Sequence, residues 1–154
     1  MLDRIFPRVI DNAYRGHALA LWMFMLILLF KTAIALGTIF KGREAAQSAD
    51  GIPLDTYGPD GAQTVLALFA IWGLSQLVFS GIGITALIRY RSMIPLLFLF
   101  FLIEHLARRL MFLVKPIVRT GSPPGLWINL GILALMIAGL VLSVRSRGDV
   151  PLPR

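Results

Sequence analysis

Four long apolar stretches alternate with shorter polar segments along the chain. They cover residues 18–40, 64–88, 94–114 and 126–144. Each is long enough for an α-helix that crosses a bilayer, because the hydrocarbon core is about 30 Å thick and needs about 20 residues. The pattern therefore predicts an all-α integral membrane protein, a four-transmembrane-helix bundle in which residues 1–154 form a single membrane domain.

The first 16 residues carry a weaker amphipathic pattern. The apolar positions are Ile5, Phe6, Val9, Ile10, Ala13 and Tyr14, and the polar positions are Arg4, Arg8, Asp11, Asn12 and Arg15. Helical spacing puts the two sets on opposite sides, which predicts a short N-terminal interfacial helix lying on the membrane surface. The alternative is an irregular polar leader.

The first apolar stretch shares some features with a cleaved signal peptide, including the small residues Ala33 and Ala35. However, its apolar run continues to Phe40, and Lys31 lies just before the possible cleavage site. The apolar core of a signal peptide ends before that site. We therefore expect an uncleaved first helix.

Composition also favours a membrane protein and narrows its partners. Hydrophobic residues make up 57% of the chain, and its mean hydropathy is +0.78, above that of ordinary soluble domains. The absence of cysteine excludes disulfides and thiolate metal sites. The net charge is +7, but the basic residues are scattered over loops and helix ends. Besides the lipid bilayer itself, anionic lipid headgroups are therefore the expected partner, and nucleic acid is not.

The distribution of basic residues predicts the orientation. Of the 15 Lys and Arg residues, eight lie in residues 1–17, 89–93 and 145–154, and four lie in residues 41–63 and 115–125. Because positive charge is favoured on the cytoplasmic side, we expect cytoplasmic tails at 1–17 and 145–154 and an external loop at 41–63. The expected location is the cell membrane, the inner membrane of a bacterium, with several crossings.

The loop at 41–63 is the only long polar segment, and it is acidic. Its carboxylates are Glu44, Asp50, Asp55 and Asp60. Asp60 and Gln63 have the spacing of a capping box, which predicts the start of the second transmembrane helix. The aspartates lack the alternating spacing of an EF-hand, so a calcium loop is not favoured.

Small residues at helical spacing predict where the helices meet. The pairs are Ala33 with Gly37, Ser80 with Gly83, and Ala134 with Ala138. Small side chains let two backbones approach closely inside a membrane. We therefore expect helix contacts at these positions.

The third apolar stretch contains a charged cluster, unlike the other three. Glu104, His105, Arg108 and Arg109 lie near its middle. A charged residue at that depth costs about 2.5–3.5 kcal/mol on insertion scales, so the cluster should face protein or water. Glu104 and Arg108 are four residues apart and can pair. The opposite side of the helix is apolar: Leu99, Ile103, Leu106 and Leu110.

Other polar residues fall at similar depths in neighbouring stretches. Lys31 and Gln76 lie near the depth of Glu104, which predicts a central polar layer. Arg108 and Arg109 lie further towards the outer side, near the level of Asn129. The candidate buried polar network or anion site therefore comprises Lys31, Gln76, Glu104, His105, Arg108, Arg109 and Asn129.

This cluster has two interpretations. In the first, Lys31, Glu104 and Arg108 form a hydrogen-bonded network that fixes helix register and has no chemistry. In the second, the paired arginines bind a carboxylate or phosphate, and Glu104 or His105 moves a proton. Arg109 has no intrahelical acid and is the arginine most available to an anion.

The remaining residues do not suit metal or cofactor chemistry. The chain has only two histidines, and His17 lies at a different depth from His105, so a single chain cannot form a bis-histidine haem site. Glu104 is the only carboxylate inside a predicted helix, which leaves no acid pair for a metal or for glycoside hydrolysis. We predict no cofactor, no metal and no catalytic residue.

These features leave three functional expectations. The leading one is a non-enzymatic accessory or interaction subunit that contacts a membrane-protein partner or a second copy of itself. The second is a small transporter or binder of an anionic or lipid-like solute, acting as a homo-oligomer. The third is a lipid-modifying enzyme.

Overall fold

The computed structural model describes residues 2–145, and this part of the chain is helical without strands. Its α-helices are α1 (Leu2–Ile5), α2 (Ala18–Phe40), α3 (Gly42–Glu44), α4 (Pro59–Arg89), α5 (Ile94–Val114) and α6 (Pro124–Val144). A π-helix covers Ala45–Ala49, and short 3-10 helices cover Leu54–Thr56 and Arg91–Met93. The all-helical prediction is confirmed, and α2 and α5 have the predicted bounds.

Helix α2 is central to the packing of the four long helices. This helix packs most extensively against α4 and also contacts α6, while α5 packs mainly against α6. Three phenylalanines form the centre of the core. The ring of Phe24 meets Phe98 edge-on at 5.0 Å and stacks on Phe101 at 5.7 Å.

Two glycines permit close helix contacts. A Cβ atom on Gly73 would lie 3.0 Å from the carbonyl oxygen of Ala35, so α4 can approach α2 only without a side chain there. Gly139 on α6 lies directly against the ring of Phe98 in the same way. The absence of a side chain at these glycines therefore lets the helices pack closely, as small residues do in membrane proteins.

Of the three predicted pairs of small contact residues, only the pair on α4 is confirmed. Ser80 is buried, and Gly83 lies against Leu28. The other four positions do not make close contacts: Ala33, Ala134 and Ala138 are exposed, and Gly37 has open space beside it. Small-residue spacing alone does not show which face of a helix is buried, and that explains the error.

Hydrogen bonds at the ends of the bundle fix the path of the chain. At one end, His17 N–H donates to the carbonyl of Leu142 and Ser92 N–H donates to that of Asp11, both at 3.2 Å. At the other end, Thr120 N–H donates to Gly51 at 2.8 Å. Since α5 joins the Ser92 turn to the Thr120 loop, it runs the full length of the bundle, about 31 Å.

Three helices, α2, α4 and α6, are long and apolar enough to cross a membrane, which indicates a membrane protein. Helix α5 has 21 residues, as many as α6, but it carries Glu104, Arg108 and Arg109 in its central and C-terminal part. Its charge, not its length, separates it from the other three. The fourth crossing remains a prediction at this point.

The predicted N-terminal interfacial helix is wrong over most of its length. Helix α1 ends at Ile5, and the chain is irregular from Phe6 to His17. The physical reason is Pro7, because proline disfavours helical backbone angles at the residue before it. Residue 1 and residues 146–154, which include nearly all of the predicted C-terminal tail, lie outside the described residues.

The capping box predicted at Asp60 is also wrong. Helix α4 begins at Pro59, with Gly58 as its N-cap and no side-chain cap bond. Proline suits the first helical position because its missing N–H has no intrahelical partner there anyway. Asp60 instead lies in the first turn, where a carboxylate interacts favourably with the helix dipole.

Candidate functional site: a polar cavity between the helices

Glu104 joins α5 to both α2 and α4. Its Oε2 accepts a hydrogen bond from Lys31 Nζ at 3.1 Å, and its Oε1 accepts one from Gln76 Nε2 at 3.0 Å. Arg108 Nε lies 3.9 Å from the same Oε1, one turn further along α5. The structure thus brings together the three residues that the sequence places at one depth.

This network holds a buried cation. Lys31 is only 6% exposed, and its Nζ lies 5.2 Å from the centroid of the Phe101 ring. Among the described residues, Glu104 is the only carboxylate within ion-pair distance of Lys31. Burying a charge is costly unless it is paired and hydrogen-bonded. Glu104 therefore stabilises the charged side chain of Lys31 in its buried position.

His105 is held by its neighbour Arg108. The side chain of His105 is 1% exposed, and Arg108 Nη2 lies 3.2 Å from its Nδ1. A guanidinium group can only donate, so Nδ1 accepts and a neutral ring carries its proton on Nε2. That Nε2–H is buried and has no hydrogen-bond partner among the described residues.

Both side chains line a cavity of about 410 Å³ between the four long helices. Its polar lining includes Lys31, Thr38, Gln76, His105, Arg108 and Asn129, and its apolar lining includes Ile34, Trp72, Ile128 and Ile132. The guanidinium of Arg108 lies over the ring of Trp72, at 5.0 Å from its centroid. The cavity therefore combines cationic donors with apolar walls.

The cavity extends along α2 to the loop that follows it. Lys31 lines one end and Lys41, ten residues later, lines the other, a rise of about 15 Å. Glu44 and the π-helix Ala45–Ala49 form the loop end. This loop is anchored to the bundle because Leu54 is buried with Ala46 and Ile52 against side chains of α4.

Asp50 lies at the loop end of the cavity, and the pKa of its carboxyl is raised. Burial raises the pKa of its carboxyl above the usual 3.8, and the nearby Arg119 and Arg108 offset part of this effect. Gly125 is in direct contact with the Ala49 carbonyl, which fixes the chain just before Asp50 against the start of α6. Asp50 is thus held in place at the cavity entrance.

Asp50→Asn is expected to stabilise the protein at neutral pH. Because the folded-state pKa of Asp50 is raised, ionisation costs the folded state more than the unfolded state, and stability is lost as pH rises through that pKa. The gain should vanish below pH 3.8, where the carboxyl is neutral in both states. Thermal unfolding at about pH 7 and about pH 3 measures this, with Asp55→Asn, a change at an exposed carboxylate, as the control. An equal gain in stability at both pH values would contradict a raised pKa of Asp50 as its cause.

The remaining predicted residues have different positions. Asn129 lines the cavity, but its Nδ2 donates to the Gly125 carbonyl at 2.7 Å within α6. Arg109 is half-buried, does not line the cavity, and makes no ion pair with any described residue. The arginine in the cavity is therefore Arg108.

No feature of the sequence singles out Trp72, although it lies four residues before Gln76 on the same helical face.

A second, apolar crevice lies on the other side of the Lys31–Glu104 pair. It has a volume of about 370 Å³ and is lined by Phe79, Phe100, Phe101 and Ile103 together with the pair itself. Phe79, Phe100 and Ile103 are exposed, so the crevice opens between α4 and α5 onto the outer surface. Lys31 therefore lines both spaces, whereas Glu104 lines only the crevice.

Among the side chains described for residues 4–145, no group of three His, Asp or Glu is placed to hold a metal ion. Comparisons of the chain with protein-family models, with curated proteins and with solved structures find no match. The function must therefore be argued from the site itself.

Proposed function

We propose that the protein crosses the membrane four times and binds an organic anion in the polar cavity. This is the second of the functions expected from the sequence. The observation that carries the proposal is the pairing of His105 with the guanidinium of Arg108: both side chains line the cavity, and the Nε2–H of His105 is buried without a partner among the described residues. A buried donor without an acceptor is unfavourable, and an anionic oxygen would satisfy it.

The fourth crossing is α5. Charged residues inside a membrane-spanning helix face the protein interior or a polar cavity and pair with one another. Glu104 and Arg108 follow this rule, since Glu104 pairs with Lys31 and Arg108 lines the cavity. The length of α5 from one end of the bundle to the other supports the same conclusion.

The lining residues suit a carboxylate or phosphate on an apolar body. Arg108 offers planar, paired donors to such groups, and the His105 Nε2–H adds a third donor. The side chains of Ile34, Ile128 and Ile132 suit an aliphatic chain or ring. The volume of about 410 Å³ falls in the range of small-molecule sites.

Binding of radiolabelled octanoate to the purified protein tests this function. Octanoate combines one carboxylate with an aliphatic chain. We expect Arg108→Gln to weaken its binding by about tenfold or more, because a charge-assisted hydrogen bond is lost. Arg109→Gln is the matched control, since it removes the same charge one residue away, outside the cavity lining.

Competition with octanol and octylammonium shows whether charge matters. Neither should displace octanoate at concentrations where octyl phosphate does. Absence of saturable octanoate binding, or equal weakening by Arg108→Gln and Arg109→Gln, would contradict the proposal.

The proposed orientation places both termini in the cytoplasm of a bacterium and the loop end of the cavity outside. Reporter fusions after Arg154 and in the Arg91–Met93 turn should report a cytoplasmic location, and one at Asp55 an external location. A chain in which α5 does not cross would instead place the C-terminus outside.

A second candidate function is the accessory subunit, which the apolar crevice favours. Glu104 is 26% exposed there, beside the exposed rings of Phe79 and Phe100. Lipid tails leave a carboxylate at that depth poorly solvated, whereas a helix of a partner would cover it. The partner would be a second copy of this chain or another membrane protein.

Single-cysteine cross-linking tests the second candidate cleanly because the chain has no cysteine. Phe100→Cys should form a disulfide-linked dimer or a cross-link to another protein in native membranes. Ile137→Cys, on α6 and similarly exposed, should not. Equal cross-linking at both positions, or none at Phe100→Cys, would argue against a partner at the crevice.

A further inference from the structure

A separate cavity lies at the opposite end of the bundle from the acidic loop. It has a volume of about 270 Å³ and is enclosed by the N-terminal segment, the turn between α4 and α5, and the end of α6. Its polar lining residues are Arg4, Arg8, Tyr14, Arg15, Ser92 and Ser143. The lining thus contains three arginines.

The irregular N-terminal segment is held firmly around this cavity. Ser92 Oγ donates to the Asp11 carbonyl at 2.8 Å and accepts from the Asp11 N–H at 2.9 Å. Arg4 Nη1 donates to the Val144 carbonyl at the end of α6 at 3.1 Å. These bonds fix the N-terminal segment to the turn between α4 and α5 and to the end of α6. The walls of the cavity are therefore held in place by defined hydrogen bonds.

Tyr14 lines this cavity and carries a buried donor. Its hydroxyl is enclosed and has no hydrogen-bond partner among the described residues. Burial raises the pKa of Tyr14 to about 12, so the hydroxyl keeps its proton at neutral pH. A buried hydroxyl without a partner is unfavourable, and an oxygen of a bound anion would satisfy it.

The surroundings of this cavity suit a membrane surface. Next to it, Phe6, Val9 and Ile10 expose apolar side chains on the N-terminal segment. Apolar side chains beside arginines are typical of segments that lie at the boundary between headgroups and acyl chains. Ser92 and Pro95 line the cavity at the N-terminal end of α5, and Ser143 lines it at the C-terminal end of α6.

We propose that this cavity binds a phosphate group, and that its source is the headgroup of an anionic phospholipid. Arg15 and the Tyr14 hydroxyl donate to the phosphate oxygens, while the exposed apolar side chains contact the acyl chains. Arginine suits this role because its planar donors match phosphate oxygens in pairs. The site is independent of the organic-anion cavity, which lies at the other end of the bundle.

Native mass spectrometry of the full-length protein titrated with phosphatidylglycerol or phosphatidylcholine tests the site. We expect specific retention of phosphatidylglycerol. Tyr14→Phe and Arg15→Gln should each weaken its binding by about fivefold or more, since each removes a donor to the phosphate. Arg89→Gln, which removes an exposed charge at the same end of the bundle outside the cavity lining, should leave it unchanged.

Three results would overturn the proposal. Equal weakening in Arg89→Gln would show a diffuse attraction to positive charge. Full binding in both cavity variants would show that the lipid sits elsewhere. Displacement of phosphatidylglycerol by millimolar inorganic phosphate would assign the site to free phosphate, because a lipid anchored by its acyl chains resists such competition. Unchanged thermal unfolding of Arg15→Gln confirms that the variant folds.

Discussion

Glu104→Gln is expected to lower the free energy of unfolding by about 3 kcal/mol, because it leaves a buried ammonium without its counter-charge. The substitution keeps the side-chain length and an oxygen that can accept from Gln76. Only the charge next to Lys31 is lost. Equilibrium unfolding in mixed micelles with increasing dodecyl sulfate measures the change.

The double variant Lys31→Met with Glu104→Gln should recover much of this loss. It removes both charges of the Lys31–Glu104 pair, so no unpaired ammonium remains at position 31, and replacing a buried pair by uncharged groups is often close to neutral. A double variant as unstable as Glu104→Gln alone would show that the ion pair is not what makes Glu104 important.

Phe98→Ala is expected to lower the free energy of unfolding by about 2 kcal/mol. Phe98 is fully buried, and its ring lies between Phe24 and Gly139. Inside a membrane the surroundings of a helix are apolar in either state, so the loss comes mainly from the cavity left behind and not from transfer to water.

Phe100→Ala provides the matched control for the same unfolding measurement. It removes the same ring two residues away, but Phe100 is 51% exposed on the outer surface, where lipid can fill the space. The expected loss is below about 1 kcal/mol. A similar loss at the two positions would contradict the packing described for α5.

The lengths of the apolar stretches were sufficient to predict the four long helices. Helices α2 and α5 match the predicted bounds because long apolar runs and the polar residues around them mark both ends. The same reasoning placed Lys31, Gln76 and Glu104 at one depth, since 1.5 Å of rise per residue converts sequence position into depth. Depth along a helix is readable from sequence when the helix spans the bilayer.

Rotation about the helix axis and irregular backbone were not predictable in this way. All faces of α6 are apolar, so its sequence does not show that Gly139 packs against Phe98 while Ala134 and Ala138 face outward. The cavity depends on such rotations, because Trp72 and Ile132 line it from different helices. The π-helix that forms its loop end depends on tertiary contacts of Leu54 and Ala46.

The network and the cavity are linked through Arg108. Its Nε is directed to Glu104, its Nη2 to His105, and the plane of its guanidinium lies over Trp72. Three partners on three sides hold the guanidinium in one position, which would lower the entropy cost of the proposed anion binding. The ion pair with Lys31 therefore supports the site by fixing Glu104, to which Arg108 is attracted.

Nitrogen-15 NMR of the two histidines tests the central claim most directly. Protein labelled in its imidazole rings should show His105 protonated on Nε2, with Nδ1 as an acceptor. Saturating octanoate should shift the Nε2 nitrogen and its proton, because the buried donor gains an acceptor. The signals of His17, at the opposite end of α2 from the cavity entrance, should not move. Unchanged His105 signals in the presence of bound octanoate would contradict the claim that the anion binds at this donor in the polar cavity.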